Sequence, residues 1–146
     1  MTESQLTAID APKHVLAIVN PASGSKRGNE VIERLREVRS PRVTLHVTTP
    51  EFDFEEAIRA GVEDGAERIL VAGGDGTLMD GVSGAYRALG REILPFSWVP
   101  AGTGNVVSGF LGLPHRVDAA LKLALGPGLI RRIDLAKVGN RCSVLS

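Results

Sequence analysis

Three short segments of this 146-residue chain combine the residue types that phosphate chemistry needs. Asn20-Pro-Ala-Ser-Gly24 supplies an amide, a hydroxyl and a turn, through Asn20, Pro21, Ala22, Ser23 and Gly24. Gly73-Gly-Asp-Gly-Thr77 sets three glycines around one carboxylate and ends on a hydroxyl. Gly102-Thr-Gly-Asn105 repeats the combination. Glycine admits positive φ and lets backbone come close to a ligand. Where such a loop runs into a helix, unpaired N–H groups and the helix dipole suit a phosphate. Thr77 can cap that helix or donate its hydroxyl to a phosphate oxygen. Asp75 is harder to place. A carboxylate beside an anion is repulsive unless it holds a metal, takes a proton or bonds a hydroxyl, and the other reading is that it satisfies loop amides. Ordinary turns, with Ser23 or Ser25 and Asn105 as helix caps, compete with the phosphate reading at the other two segments. The central loop is neither a Walker A loop, since no Gly-Lys-Ser/Thr closes it, nor a G-x-G-x-x-G turn.

The elements that must position these segments are legible from hydrophobic spacing. Val15–Val19 and Ile69–Ala72 are short continuous apolar runs, which predict strands covered on both faces. Arg42–Thr48 alternates Val43, Leu45 and Val47, and Phe96–Val99 forms a fourth run. Between them, Val31, Ile32, Leu35 and Val38 fall at helical spacing, as do Phe54, Ala57, Ile58, Gly61 and Val62. Leu78, Val82, Ala85, Tyr86 and Leu89 predict a third helix, and 106–111 and 117–125 two more stretches. This β-α-β-α-β-α-β order implies an α/β fold, an open, mostly parallel sheet with helices on both faces. In such sheets ligands sit beyond the carboxyl ends of the strands. All three polar loops follow strands, so they should meet on one edge.

Ten of the 17 glycines lie between Gly73 and Gly112, which marks that edge as a place of close backbone approach. Net charge is zero and aromatic residues are 4%, which argues against a nucleic-acid partner. His14, His46 and His115 are scattered without ligand spacing, so no metal-ligand residues are assigned. The one cysteine, Cys142, reads as a buried strand residue and fits a reducing, cytoplasmic compartment. Residues 1–13 show no signal-peptide pattern and read as a flexible leader, followed by an α/β domain over 14–128. Residues 133–138 and 142–145 flank Gly139-Asn140 like a β-hairpin. Residues 129–146 therefore read as the opening strands of a truncated β-rich second domain. A hairpin without its sheet is expected to self-associate through these strands or to be poorly ordered.

The Asn20-Pro-x-Ser-Gly24, Gly73-Gly-Asp-Gly-Thr77 and Pro100-x-Gly-Thr-Gly-Asn105 set, in this order, resembles the diacylglycerol kinase catalytic-domain family, which includes bacterial lipid kinases and sphingosine kinases. NAD kinases share the central loop alone, and the two flanking loops favour the lipid kinases. Phe110-Leu-Gly-Leu-Pro114 and Ile133-Asp-Leu135 also look like the family. The resemblance implies a two-domain enzyme that transfers the γ-phosphoryl group of ATP, with Mg²⁺, to a lipid hydroxyl, working at a membrane surface. Nucleotide contacts would then fall on Asn20 to Gly24, on Thr48, on Gly74, Asp75, Gly76, Thr77, Leu78, Met79 and Asp80, and on Gly102, Thr103, Gly104 and Asn105. Asp75 and Asp134 would be the catalytic carboxylates. Met79 and Asp80 stand where the family commonly has Asn-Glu, which leaves the contact at Met79 open. An NAD kinase-like enzyme and a non-catalytic nucleotide-binding module are the alternatives.

Overall fold

Two runs without a charged residue in their middle, Val15–Val19 and Ile69–Gly73, become the inner strands of the sheet. In the computed structural model, which describes residues 6–22, 26–102, 112–139 and 141–144, every residue of these runs is buried. The strands are β2 (His14–Val19), β3 (Arg42–Val47), β4 (Arg68–Gly73) and β5 (Phe96–Pro100). They pair in parallel in the order β3-β2-β4-β5. Successive side chains of a strand point to opposite faces, and the two faces build separate cores. Val15, Ala17, Val19, Leu70 and Ala72 meet α1 (Arg27–Glu37) and α4 (Val117–Leu125). Leu16, Ile18, Ile69 and Val71 meet α2 (Phe54–Glu63) and α3 (Asp75–Leu89). A strand that feeds both cores has no polar face, hence the unbroken apolar runs.

Glycines set how closely the helices lie. A Cβ on Gly84 of α3 would stand 2.7 Å from the Phe54 Cβ, so α3 packs directly on the start of α2. Asp53 caps α2, its carboxylate accepting the Glu56 N–H at 3.1 Å.

Several expectations are corrected. The 1–13 leader is not wholly loose, because Leu6–Ile9 forms β1, antiparallel to β6 (Gly128–Arg131). The boundary expected after residue 128 thus falls within a paired strand. The four residues of β1 are largely exposed, so they carry no alternation, and their partner lies at the far end of the chain. Helix α3 begins at Asp75 with Gly74 as its N-cap, not at Thr77. The N-cap of α1 is Lys26, with no side-chain cap bond, while Ser23, Ser25 and the predicted 106–111 helix lie outside the described residues.

The expected hairpin is present as β7 (Leu135–Val138) and β8 (Arg141–Val144), turning at Gly139 with φ +61°. It is anchored rather than loose. Cys142 is buried in a cluster with Leu78, Val82 and Trp98, and its N–H donates to Ser83 Oγ at 2.9 Å.

Candidate functional site

The chain leaves β2 toward α1 on one face and leaves its neighbour β4 toward α3 on the other. That is the topological switch point of the sheet, where open α/β folds bind ligands. The ladder continues one residue past the strands there. The Asn20 N–H donates to the Ala72 carbonyl, Thr48 N–H to Val19 and Ala101 N–H to Gly73, each at 2.9 Å. These bonds fix the starts of the loops that follow β2, β3 and β5.

Side chains then lock the loops to one another. Asn20 Nδ2 donates to Thr77 Oγ1 at 3.0 Å, and Asn20 Oδ1 accepts the Ala22 N–H at 3.0 Å. Residue 73 must be glycine, since a Cβ there would sit 2.6 Å from the Cβ and Oγ1 of Thr77. The Gly73 carbonyl also accepts from Trp98 Nε1 at 3.0 Å. A Cβ on Gly74 would come to 3.4 Å from the Gly102 Cα, so the second and third loops abut. Gly28 lets α1 start against the first loop, where a Cβ would meet the Asn20 carbonyl oxygen at 2.8 Å.

Beside this junction lies a groove of about 550 Å³. Asn20, Thr48, Thr77 and Asp80 line it from the sheet edge and α3, and residues 49–54 form the opposite wall with Arg87 and Arg141. Phe52 and Phe54 meet edge-to-face at 5.0 Å in that wall. Asp80 is paired with Arg141 of the hairpin at 2.7 Å. Arg87 bonds Glu55 at 3.1 Å, and Glu55 also pairs with Arg59. Chiefly the Arg59 hydrogen bond, aided by Arg87, holds the Glu55 carboxyl below its ordinary value. The groove therefore offers hydroxyls, an amide, two guanidinium groups and three carboxylates, of which Asp80 is paired with Arg141, Asp53 caps α2 and Glu51 is the third.

The structure brings Asn20, Thr48, Thr77 and Asp80 together, with Gly74, Asp75, Gly76 and Gly102 at the adjoining loop junction. Pro21 and Ala22 form the rim of the first loop. Leu78 is buried and Met79 packs beside it in the Trp98 cluster, so at the groove these two residues have only backbone to offer. Asp134 is exposed in the connection from β6 to β7 and is not in the groove wall. Ser23, Gly24, Thr103, Gly104 and Asn105 lie outside the described residues. Sequence reasoning missed the 49–54 wall, Arg87 and Arg141. No spacing rule links Arg141 to Asp80, which lies 61 residues away.

The parallel sheet with glycine loops at its switch point defines an open α/β protein of the ligand-binding kind. Residues 14–138 match the diacylglycerol kinase catalytic domain. The chain belongs to that family. It is 33% identical over 132 residues to a Yersinia enterocolitica protein called "probable lipid kinase YegS-like", covering 88% of this chain and 43% of that one. It is 32% identical over 142 residues to a diacylglycerol kinase of Mycobacterium tuberculosis, covering 94% of this chain and 44% of that one. The crystal structure of a diacylglycerol kinase from Bacillus anthracis superposes with a TM-score of 0.69 at 25% identity, covering 90% of this chain and 45% of the other. The chain thus spans less than half the length of these relatives.

Proposed function

We propose that this chain is the nucleotide-binding part of a lipid kinase that passes the γ-phosphoryl group of ATP to the hydroxyl of diacylglycerol or a related lipid. The observation that carries the reading is the Asn20–Thr77 bond, which joins two glycine-bearing loops at the switch point beside an open polar groove. Phosphoryl transfer needs mostly positioning and charge neutralisation. The first turn of α3 directs N–H groups out of its end, where the dipole favours phosphate. Thr77 and Asn20 orient that turn, Gly73 and Gly74 let a phosphate approach the backbone, and Arg87 and Arg141 offset the carboxylates of the groove wall. Asp75, at the mouth of the turn, acts on metal or substrate, and Asp134 is the second carboxylate, reached once substrate and the remainder of the enzyme are in place.

Mg²⁺ bound with ATP would neutralise charge on the phosphate oxygens. Among the described residues no three His, Cys, Asp or Glu side chains cluster as a cage. The donors fit the usual arrangement for this ion, one or two carboxylates plus substrate phosphates, with Asp75 and Asp80 as the candidates. A cytoplasmic enzyme working at the membrane surface completes the reading. Among the described residues no helix is long and apolar enough to cross a membrane.

The test is calorimetric titration with MgATP alongside transfer of labelled phosphate to diacylglycerol, to sphingosine and to NAD. Saturable but weak ATP binding, without lipid phosphorylation by the 146-residue chain, is expected. Absence of ATP binding overturns the reading in favour of a non-nucleotide module, and phosphorylation of NAD overturns it in favour of the NAD kinase alternative.

A further inference from the structure

A second groove, of about 680 Å³, runs along the outer side of β5, the last strand of the sheet. Its volume is that of a small-molecule site, roughly 300–1,000 Å³. It shares no wall residue with the polar groove. Its floor is apolar, built from Phe96 and Trp98 of β5 and Leu78 and Val82 of α3. Leu129 of β6 and Leu123 of α4 stand at its margin with 64% and 48% of their surface in water. Aliphatic surface left in solvent costs about 25 cal/mol per Å², which an apolar ligand in the groove would recover.

The charged wall residues are all of one sign. Arg68 is buried and already donates to the carbonyls of Ala124, Gly126 and Asp10. Arg91, Arg131 and Arg132 are exposed, and among the described residues they make no ion pair. No Asp or Glu is part of the described wall. An apolar trough bordered by three unneutralised guanidinium groups is complementary to an amphiphile with an apolar tail and an anionic head, since guanidinium pairs well with carboxylate and phosphate.

We propose that the groove along β5 binds a single acyl chain carrying an anionic head group, as a monomer. The proposal does not rest on the kinase reading. Trp98 is the only tryptophan of the chain and forms part of the floor, so its emission reports occupancy directly. The probe is 9,10-dibromostearate, whose bromines quench tryptophan, titrated below its aggregation concentration into the unmodified chain. Saturable quenching is expected, at least tenfold weaker with the matching brominated alcohol. Equal affinity for acid and alcohol, or no saturable quenching, overturns the proposal. The Arg131→Gln/Arg132→Gln pair should weaken binding of the acid about tenfold, and Leu129→Asp, at an exposed position, should also weaken it. If neither does, the site is elsewhere and the proposal fails. Brominated phosphatidylglycerol vesicles form the last arm. Quenching by vesicles without quenching by the free acid would mean a membrane-docking face instead of a monomer site.

Discussion

Asp75 is the residue on which the proposed chemistry turns. It opens α3 directly after the two glycines, at the end of the helix that favours negative charge. A carboxylate there either serves metal or substrate or simply holds the loop. In the active full-length enzyme, Asp75→Asn should reduce turnover at least tenfold, about 1.4 kcal/mol of barrier, with an unchanged melting temperature. A mutant that loses stability and keeps its turnover assigns Asp75 to the loop alone. Arg141 offers a second test. Its pair with Asp80 is substantially exposed, so Arg141→Ala should change stability by only about 0–1 kcal/mol. It leaves the Asp80 carboxylate uncompensated beside the glycine loops, and ATP affinity should drop about tenfold by calorimetry. Adding Asp80→Asn should restore part of that loss for ATP titrated without Mg²⁺, where the Asp80 carboxylate has no cation to hold. No recovery in the double variant would show that Arg141 meets the nucleotide without acting through Asp80.

Among the elements, the least expected is the β1–β6 ribbon, and Arg68 explains how it is held. The guanidinium of Arg68, only 4% exposed at the start of β4, donates to the carbonyls of Ala124 and Gly126 at the end of α4 and to Asp10 just after β1. Burial pushes this group below the ordinary arginine value, and the three acceptors offset the desolvation. Helix ends leave carbonyls without partners, so one side chain completes α4 and ties down both strands of the ribbon. Arg68→Met should cost about 3 kcal/mol, on the scale of stranded buried polar groups, read by urea denaturation. Amide exchange over 6–9 and 128–131 should rise at the same time. A loss confined to global stability, with the ribbon still protected, would show that β1 and β6 hold together without Arg68.

For the whole molecule, the C-terminal hairpin is the element expected to govern association. Val138 is 80% exposed, and β7 and β8 form a two-stranded sheet among the described residues. Strand edges and exposed apolar residues recruit other chains, so light scattering should show association that is lost in a chain ending at Arg132, which keeps β6 and removes the hairpin. A monodisperse monomer with protected amides over 135–144 would show that anchoring by Ser83 and Cys142 suffices. The four strands of the parallel sheet and their helices were readable in the amino-acid order, because burial on both faces leaves unbroken apolar runs in β2 and β4 and amphipathic helices repeat every three or four residues. The central glycine loop was readable as well, since close backbone approach excludes other residue types locally, as the 2.6 Å clearance at Gly73 demonstrates. The order β3-β2-β4-β5, the 49–54 wall, the Asp80–Arg141 pair and the β1–β6 ribbon were decided only by the tertiary structure. Each joins residues far apart in the chain whose types, taken locally, name no partner. Their meaning comes from the partner that folding brings to them, and no local periodicity encodes that partner.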